Sequence, residues 1–336
     1  MATTKKIIVV IGGTGMFGGA VLTSLLDNPN FHVRSTTRDA STERAQRLRD
    51  QGAEVIQADS WSAQELVVAF KGAWGLFLNT DSDSPTFKPG PDQEPGPPEF
   101  EMGKIVIDAA VKQGVKMFVF SGLPEASNVT SGAVPITSFD NKAEITRYSR
   151  QAGFESAVTI TAGWTMDIFF MDIYTKTFGG FATVPDQEGY LTLKLPPFGS
   201  ESGLVPWTSC SDDFGDAVHG IFLNPMRYNG QSLWAISCEE TFAGVTEIFN
   251  QVSGTKKARY IALTDQLTSK TAGKTKEVNG LMNYCQYVKG LYCDGKPVDQ
   301  SVVKVLKANA TAARGRSESD AQLQTVEGFF KKRLGT

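Results

Sequence analysis

Short apolar runs alternate with helical patterns through the first half of the chain. Each run has the length and residue types of a buried strand, and the stretches between the runs carry apolar residues or caps at helical spacing. The six predicted strands are Ile7–Ile11, Phe31–Thr37, Glu54–Ala58, Trp74–Leu78, Val115–Phe120 and Ala157–Thr161. This alternation predicts an α/β fold built on a doubly wound parallel sheet.

The alternation breaks after Gly163, where aromatic residues and turn-type glycines replace it. The later predicted elements are a strand or hairpin around Tyr190–Leu195, strands at Ser232–Ser237 and Lys257–Ala262, and helices at Asp212–Phe222, Phe242–Ser253 and Ala321–Arg333. We therefore predict an α/β domain over residues 1–162, with its sheet completed by segments near 204–237. A smaller, interleaved α+β lobe is predicted over residues 163–336.

The composition narrows the class of protein. The 336 residues are 41% hydrophobic and 21% charged, with a formal net charge of −3, which supports a sizeable core and gives no basic surface for nucleic acid. With no secretory signal and no run of about 18 apolar residues, we expect a cytoplasmic protein without a membrane span. The four cysteines lack paired spacing and the two histidines stand alone, so no metal site is predicted. We expect His32 to pack on a strand and His219 to lie on a helix surface.

A glycine cluster joins the first predicted strand to the first predicted helix. Gly12, Gly15 and Gly18 have the spacing G-x-x-G-x-x-G. In a Rossmann-like unit such glycines permit a turn with positive φ, a close approach of backbone N–H groups to a pyrophosphate, and tight packing of helix on strand. We therefore predict a dinucleotide site, with a purely structural turn as the less favoured alternative. The intervening candidates for cofactor binding are Thr14, Met16 and Phe17.

Residues that follow the next strands predict which dinucleotide binds. In Rossmann units an acid at the end of the second strand bonds the 2′-hydroxyl of NAD, whereas an arginine pairs with the 2′-phosphate of NADP. Arg38 stands there, so we predict NADP(H), with an exposed turn residue as the alternative. Asp59 and Ser60 end the third strand and can lie beside the adenine, although Asp59 can equally cap the next helix. Asn79, after the fourth strand, completes the predicted cofactor set.

The segment Ser82–Pro98 is too rich in proline, glycine and acidic residues for regular structure. It follows a strand at the edge where open α/β sheets bind ligands. A loop over the cofactor or substrate and a tolerated surface insertion are equally favoured interpretations.

Three polar side chains are candidates for chemistry at the sheet edge. Ser121 ends the fifth strand, and Ser138 and Lys142 lie one turn apart on the following helix. A serine and a lysine there can bind ribose hydroxyls and assist proton transfer. Taken alone, Lys142 would be assigned to the helix surface.

The motifs taken together resemble one protein family. They are GGTGMFGG, TTRD, GVKMFVFSGLP, SFDNKAEITRY, GWTMDIF and Asp213–Gly215. In this combination the region Lys5–Ala262 resembles the NmrA-like branch of the atypical short-chain dehydrogenase/reductases. The resemblance implies a Rossmann domain with a small C-terminal lobe, and NADP(H) bound at Gly12, Gly15, Gly18 and Arg38.

The chain departs from that superfamily at the position of the proton donor. Ordinary members have a tyrosine four residues before the lysine, and Ser138 stands there in this chain. A serine hydroxyl is a poor general acid near neutral pH. Phe17 also replaces the glutamine that is common in the family.

Three functions therefore remain open. The favoured one is an NADPH-dependent reductase of a small aromatic or carbonyl substrate, in which Lys142 or a water delivers the proton, as the similarity to isoflavone-reductase-like enzymes implies. The alternatives are a catalytically weak redox sensor that acts through a protein partner, and a non-redox isomerase or dehydratase. Trp164, Met166 and Phe169 can line an apolar substrate pocket, although core packing is the commoner role of such residues.

Overall fold

The computed structural model describes residues 4–84, 86–87, 96–264 and 272–336, without the side chains of residues 272–275. The strands in this part are β1 (Lys6–Ile11), β2 (Phe31–Thr37), β3 (Glu54–Gln57), β4 (Gly75–Leu78), β5 (Met117–Gly122), β6 (Ser156–Ala162), β7 (Trp164–Thr165), β8 (Leu191–Leu195), β9 (Val205–Thr208), β10 (Ser232–Ala235), β11 (Cys238–Glu240) and β12 (Ala258–Ala262). The α-helices are α1 (Met16–Leu26), α2 (Glu43–Asp50), α3 (Ala63–Ala69), α4 (Glu99–Lys112), α5 (Ala126–Val129), α6 (Thr137–Gln151), α7 (Asp172–Thr177), α8 (Gly215–Leu223), α9 (Phe242–Ser253), α10 (Ala272–Tyr287), α11 (Ser301–Ala313) and α12 (Val326–Leu334).

Seven strands form one parallel sheet in the order β3–β2–β1–β4–β5–β6–β10. The first six follow the strand order of a doubly wound Rossmann-like sheet, which confirms the predicted fold class. All six strands predicted in the first half are present, with small shifts at their ends. The strand order reverses between β1 and β4, and the crevice at the carboxyl ends of these strands is where such sheets bind ligands.

Helices cover both faces of this sheet, which explains the nearly continuous apolar strands. In β1, Ile8 and Val10 pack in a cluster with residues of α1, α8 and α11. Val9 and Ile11 pack in another cluster, with residues of α3, α4 and α6. A shift of β1 by one residue would exchange the two sets, so the double burial fixes its register.

A second lobe contains two small sheets. β11, β9 and β7 form one, and β12 and β8 pair in parallel in the other, so the region around Tyr190–Leu195 is a strand with a distant partner and not a hairpin. Aromatic side chains fill this lobe: the ring centroids of Trp164 and Phe242 are 5.2 Å apart, and those of Phe249 and Phe330 are 5.1 Å apart. Phe330 thereby packs the last helix, α12, into the lobe.

The prediction that His219 lies on a helix surface is wrong. The residue is fully buried on α8, because α8 packs against α1 on one side and against α11 on the other. Part of the predicted loop Ser82–Pro98, namely residues 85 and 88–95, lies outside the described residues, so both interpretations of that segment stay predictions.

The described residues contain neither a candidate membrane-spanning helix nor a candidate metal cluster. None of their helices combines the length and apolar character that a membrane crossing requires. Within the same part of the chain, no three His, Cys, Asp or Glu side chains are grouped so that they could hold a metal ion.

Candidate active site

The glycine turn is too tight to admit a side chain at Gly13 or Gly18. Gly12 follows β1 with a φ of +85°, and the N–H of Gly15 donates to its carbonyl oxygen at 2.9 Å. A Cβ on Gly18 would lie 2.2 Å from that same oxygen. A Cβ on Gly13 would lie 2.3 Å from the hydroxyl oxygen of Ser35 on β2. The turn therefore brings α1 directly against the first two strands.

Helix α1 begins at this turn with its first N–H groups uncapped by side chains. Gly15 is the N-cap residue, and the first turn holds no acidic residue. The N–H groups and the positive end of the helix dipole therefore favour an anion at this place. Thr14 and Gly15 are exposed there, and Met16 and Phe17 are half-buried.

The residues predicted to hold the adenosine half follow the ends of neighbouring strands. Arg38 comes directly after β2 and is exposed, and Asp59 and Ser60 come after β3, which pairs in parallel with β2. These three residues therefore share one edge of the sheet. Asp59 also organises its own turn, since its carboxylate accepts from the N–H of Trp61 at 3.0 Å and its N–H donates to Glu65 at 2.8 Å.

A buried ion pair lies on the opposite side of β1 from Arg38. Lys142, on α6, is 5% exposed, and its Nζ donates to Oε1 of Glu99 at 2.8 Å. The same Nζ donates to the carbonyl oxygen of Thr80 at 3.0 Å and to the Thr80 hydroxyl. An ammonium group has three N–H donors, so these acceptors use all of them. Lys142 is a buried residue of the sheet edge and not a surface lysine.

Glu99, the first residue of α4, is 3% exposed. Burial by itself raises the pKa of the Glu99 carboxyl. The charge and hydrogen bond of Lys142, with hydrogen bonds from Thr80 and Ser82, outweigh burial and hold that pKa below its usual value. Glu99 is therefore ionised near neutral pH. The Thr80 hydroxyl accepts from the same lysine, so Lys142 joins Glu99 and Thr80 in one network.

Asn79 connects this network to the glycine turn. It follows β4 directly, and its N–H donates to the carbonyl oxygen of Ile11 at 3.4 Å. Its own carbonyl oxygen would lie 3.2 Å from a Cβ placed on Gly12. Because Thr80 is the next residue, the predicted cofactor residue Asn79 lies between the turn and the Lys142 cluster.

The two serines predicted as catalytic have different surroundings. Ser121 is buried near the carboxyl end of β5, opposite Ile160 of β6. Ser138 is buried one turn before Lys142, and its hydroxyl donates to Oε2 of Glu277 on α10 at 3.0 Å. The position of the missing tyrosine is thus occupied by a hydroxyl that is bonded to a carboxylate.

A cleft of about 200 Å³ opens beside the start of α1. Its walls are mainly aromatic and aliphatic and also contain acidic residues; they include Met16, Phe17, Asp83, Trp164, Phe178 and Glu277. Among the predicted substrate residues, Trp164 lines the cleft. Met166 and Phe169 are fully buried instead, and the Phe169 ring packs against Trp207 with the centroids 5.2 Å apart. The structure therefore brings the first of the three to the cleft and places the other two in the aromatic core.

Comparison with known proteins identifies the family. Residues 4–311 match the NmrA-like family. The chain belongs to the NmrA-like family. The NmrA-like family domain-containing oxidoreductase notA of Aspergillus sp. (strain MF297-2) is 36% identical over 334 residues, which cover 98% of this chain and 97% of the relative. The corresponding oxidoreductase lnaB of Aspergillus flavus is 38% identical and covers 99% of both chains.

Solved structures share the fold of this NmrA-like chain. A doubly substituted NmrA aligns with a TM-score of 0.71 at 18% identity, over 99% of this chain and 98% of that one. NmrA, a negative transcriptional regulator, in complex with NADP aligns at 0.68 and 17%, over 98% and 95%. The NADPH-dependent quinone oxidoreductase QOR2 of Escherichia coli, complexed with NADPH, aligns at 0.64 and 18%, over 98% and 99%.

Sequence reasoning missed three residues of this NmrA-like site. Gly13 carried a local signal, because it stands between glycines that were already assigned to the turn. Glu99 carried an indirect one, since a lysine that is buried requires a counter-ion. Glu277 carried none, because it is 139 residues from Ser138 in the sequence.

Proposed function

We propose that this NmrA-like protein binds NADP(H) and acts as an NADPH-dependent oxidoreductase on a small aromatic or carbonyl substrate. The observation that carries the proposal is the glycine turn, which excludes side chains and leaves the start of α1 open to an anion. The relatives notA and lnaB are named oxidoreductases. The NADP and NADPH complexes of NmrA and QOR2 give further support.

The residues of the turn fit a dinucleotide. A pyrophosphate requires backbone N–H groups that no side chain obstructs, and a Cβ at Gly18 would collide with the Gly12 carbonyl. Arg38, exposed after β2, offers a planar guanidinium that can bind a 2′-phosphate through two N–H groups. Asp59, Ser60 and Asn79 complete the set that would hold the cofactor.

Bound NADPH would supply a hydride to the substrate. The chain itself supplies position and a dry environment. Phe17, Trp164 and Phe178 present apolar ring surfaces in the cleft, which can hold a planar group and exclude water from it. The cleft borders the first turn of α1, so a substrate there lies next to the proposed cofactor site.

Reduction of a carbonyl group also requires a proton at its oxygen. The Ser138 hydroxyl donates to Glu277, and the three N–H groups of Lys142 donate to Thr80 and Glu99. In this arrangement neither side chain has a hydrogen to direct at a substrate. We therefore place the proton source in solvent water that reaches the substrate oxygen at the open mouth of the cleft, and we keep Lys142, Ser121 and Ser138 as residues that bind or position.

A binding and turnover screen tests this function. NADPH binding is measured by the change in its fluorescence, and turnover by the loss of NADPH absorbance with quinones, aromatic aldehydes and conjugated ketones. We expect micromolar binding and consumption with at least one class. Failure to bind NADPH and NADP⁺ would contradict the proposal. Lys142 and not water delivers the proton if Lys142→Ala lowers kcat severely at saturating NADPH while Glu99→Gln, which keeps the lysine, does not.

A second function is favoured by the state of Ser138, which replaces the usual acid and is bonded to Glu277. A protein without an acid can still bind the dinucleotide and report its redox state to a partner. In that case NADPH and NADP⁺ should bind with clearly different affinities, and no substrate of the screen should be turned over.

A further inference from the structure

We propose that Glu99 is a positioning residue of the dinucleotide site, which acts through Lys142 and Thr80. The inference rests on the proposed binding of NADP(H), and it assigns to Glu99 a role in holding one side of the glycine turn.

Both charges of the Glu99–Lys142 pair are buried. Glu99 and Lys142 are 3% and 5% exposed, and their charged atoms are 2.8 Å apart. Desolvation offsets most of the attraction in such a pair, and well-packed apolar residues of similar volume often stabilise a fold equally well. Stability alone therefore does not account for the pair, whereas its fixed geometry can hold other groups in place.

The pair holds the segment that follows β4. Lys142 Nζ donates to Glu99 and also to both the carbonyl oxygen and the hydroxyl of Thr80. Thr80 follows Asn79, whose carbonyl oxygen would lie 3.2 Å from a Cβ on Gly12. Glu99 on α4 and Lys142 on α6 therefore hold the segment after β4 from two separate helices, and this segment borders the glycine turn.

The Lys142 network lies on the β4 side of the glycine turn. In the sheet order β2–β1–β4, Arg38 follows β2 and Thr80 follows β4. A dinucleotide whose 2′-phosphate pairs with Arg38 has its adenosine half on the β2 side. Glu99 should therefore influence the nicotinamide half and leave the adenosine half unaffected.

The test compares two ligands on the full chain by titration calorimetry. NADPH carries both halves, and 2′,5′-ADP carries the adenosine half with its 2′-phosphate. In Glu99→Gln we expect NADPH affinity to fall about tenfold or more, because one partner of a buried charge pair is removed, while 2′,5′-ADP affinity stays within about twofold. Glu99→Asp, which keeps the charge, should recover part of the loss.

Two matched controls accompany this test. Asp108→Asn removes a carboxylate from the same helix, where it forms an exposed pair with Lys104 at 2.7 Å, and it should change neither affinity. Arg38→Ala should weaken both ligands.

Lys142→Met should reproduce the NADPH loss, and the double variant of Glu99 and Lys142 should lose no more, since Glu99 acts through the lysine.

Circular dichroism and denaturant titration first establish that each variant is folded. If Glu99→Gln does not fold, Thr80→Val removes one hydroxyl from the same network and should weaken NADPH selectively. The proposal is overturned if the folded variant binds NADPH like the wild type, if both ligands lose affinity equally, or if the losses in the double variant add. A wild-type protein that binds neither ligand overturns the proposed function and this inference with it.

Discussion

The Phe17 ring packs edge-on against Phe214, with the ring centroids 4.8 Å apart and the ring planes at 74°. Phe17 lies in the first turn of α1 and lines the cleft, whereas Phe214 is fully buried beneath it. Phe214 also contacts Phe77 of β4, with the centroids 6.3 Å apart. The three rings thus connect the start of α1 to the strand that leads to the Lys142 cluster.

Truncation of Phe214 should destabilise the whole domain. Phe214→Ala should lower the free energy of unfolding by about 3–5 kcal/mol, because it leaves a cavity between α1 and the sheet. Phe214→Leu keeps much of the apolar volume and should cost less. Urea denaturation measures both, with Tyr287→Ala, at a side chain that is 51% exposed, as a control of small effect. An unchanged midpoint for Phe214→Ala would show that these ring contacts do not stabilise the fold.

The tight turn predicts a severe effect of one methyl group. In Gly18→Ala the new Cβ would lie 2.2 Å from the Gly12 carbonyl oxygen, so the turn must open to accommodate it. We expect NADPH affinity to fall by about tenfold or more, the factor that corresponds to 1.4 kcal/mol. Gly19→Ala is the matched control, since its nearest atom is 3.3 Å away and its effect should be smaller. Equal affinities of the two variants would contradict this account of the turn.

Arg38 should determine the choice between the two dinucleotides. Arg38→Ala should weaken NADPH by about ten- to a hundredfold, as expected for the loss of a charged hydrogen-bonded pair worth about 1.5–3 kcal/mol. NADH lacks the 2′-phosphate, and its affinity should change little. Arg44 is a second exposed arginine and lies on α2, so Arg44→Ala controls for the loss of positive charge. Equal losses for NADPH and NADH would refute the assignment of Arg38 to the 2′-phosphate.

The predictable part of this structure is the part that local sequence determines. Burial on both faces of the sheet requires a run of apolar residues, as in β1, and the exclusion of side chains requires glycines, as at Gly12. Each signal lies within a few residues, so the strands and the glycine turn can be predicted from the sequence. The bond from Lys142 to Glu99 spans 43 residues, and the bond from Ser138 to Glu277 spans 139. Which acid meets a given lysine or serine depends on how the helices pack, and no local pattern records that.

His219 illustrates the same limit. The predicted surface position of His219 requires that one face of α8 is exposed to solvent. In the structure, α11 covers that face. A Cβ on Gly220 would lie 2.3 Å from the Leu306 carbonyl oxygen on α11, which measures how closely the two helices approach. A contact between segments so far apart in the chain cannot be inferred from the period of apolar residues in one of them.

The surroundings of His219 fix the ring in its neutral form. Asn28 uses its side-chain oxygen to accept from the N–H of Asn30, so its amide nitrogen donates to His219 Nε2 at 2.8 Å. Nδ1 then carries the hydrogen and donates to the Ser24 hydroxyl at 3.1 Å, and that hydroxyl donates to Asp216 at 2.7 Å. Protonation of Nε2 would direct a hydrogen at the Asn28 amide group. Burial, followed by the nearby Arg314 guanidinium, lowers the pKa of His219 to about 4.

This lowered pKa predicts a loss of stability in mild acid. Histidine in the unfolded chain has a pKa of about 6.5, so below that pH the unfolded chain binds a proton that the folded chain does not bind. The free energy of unfolding should therefore fall by about 3 kcal/mol between pH 6.5 and pH 4 and then level off. Urea denaturation across this range measures it. Carboxyl groups titrate in both the wild type and His219→Gln, so the difference between the two stability profiles isolates the contribution of His219. Tyr287→Ala, at a side chain that is 51% exposed, should keep the wild-type slope, and a parallel profile for His219→Gln would contradict the prediction.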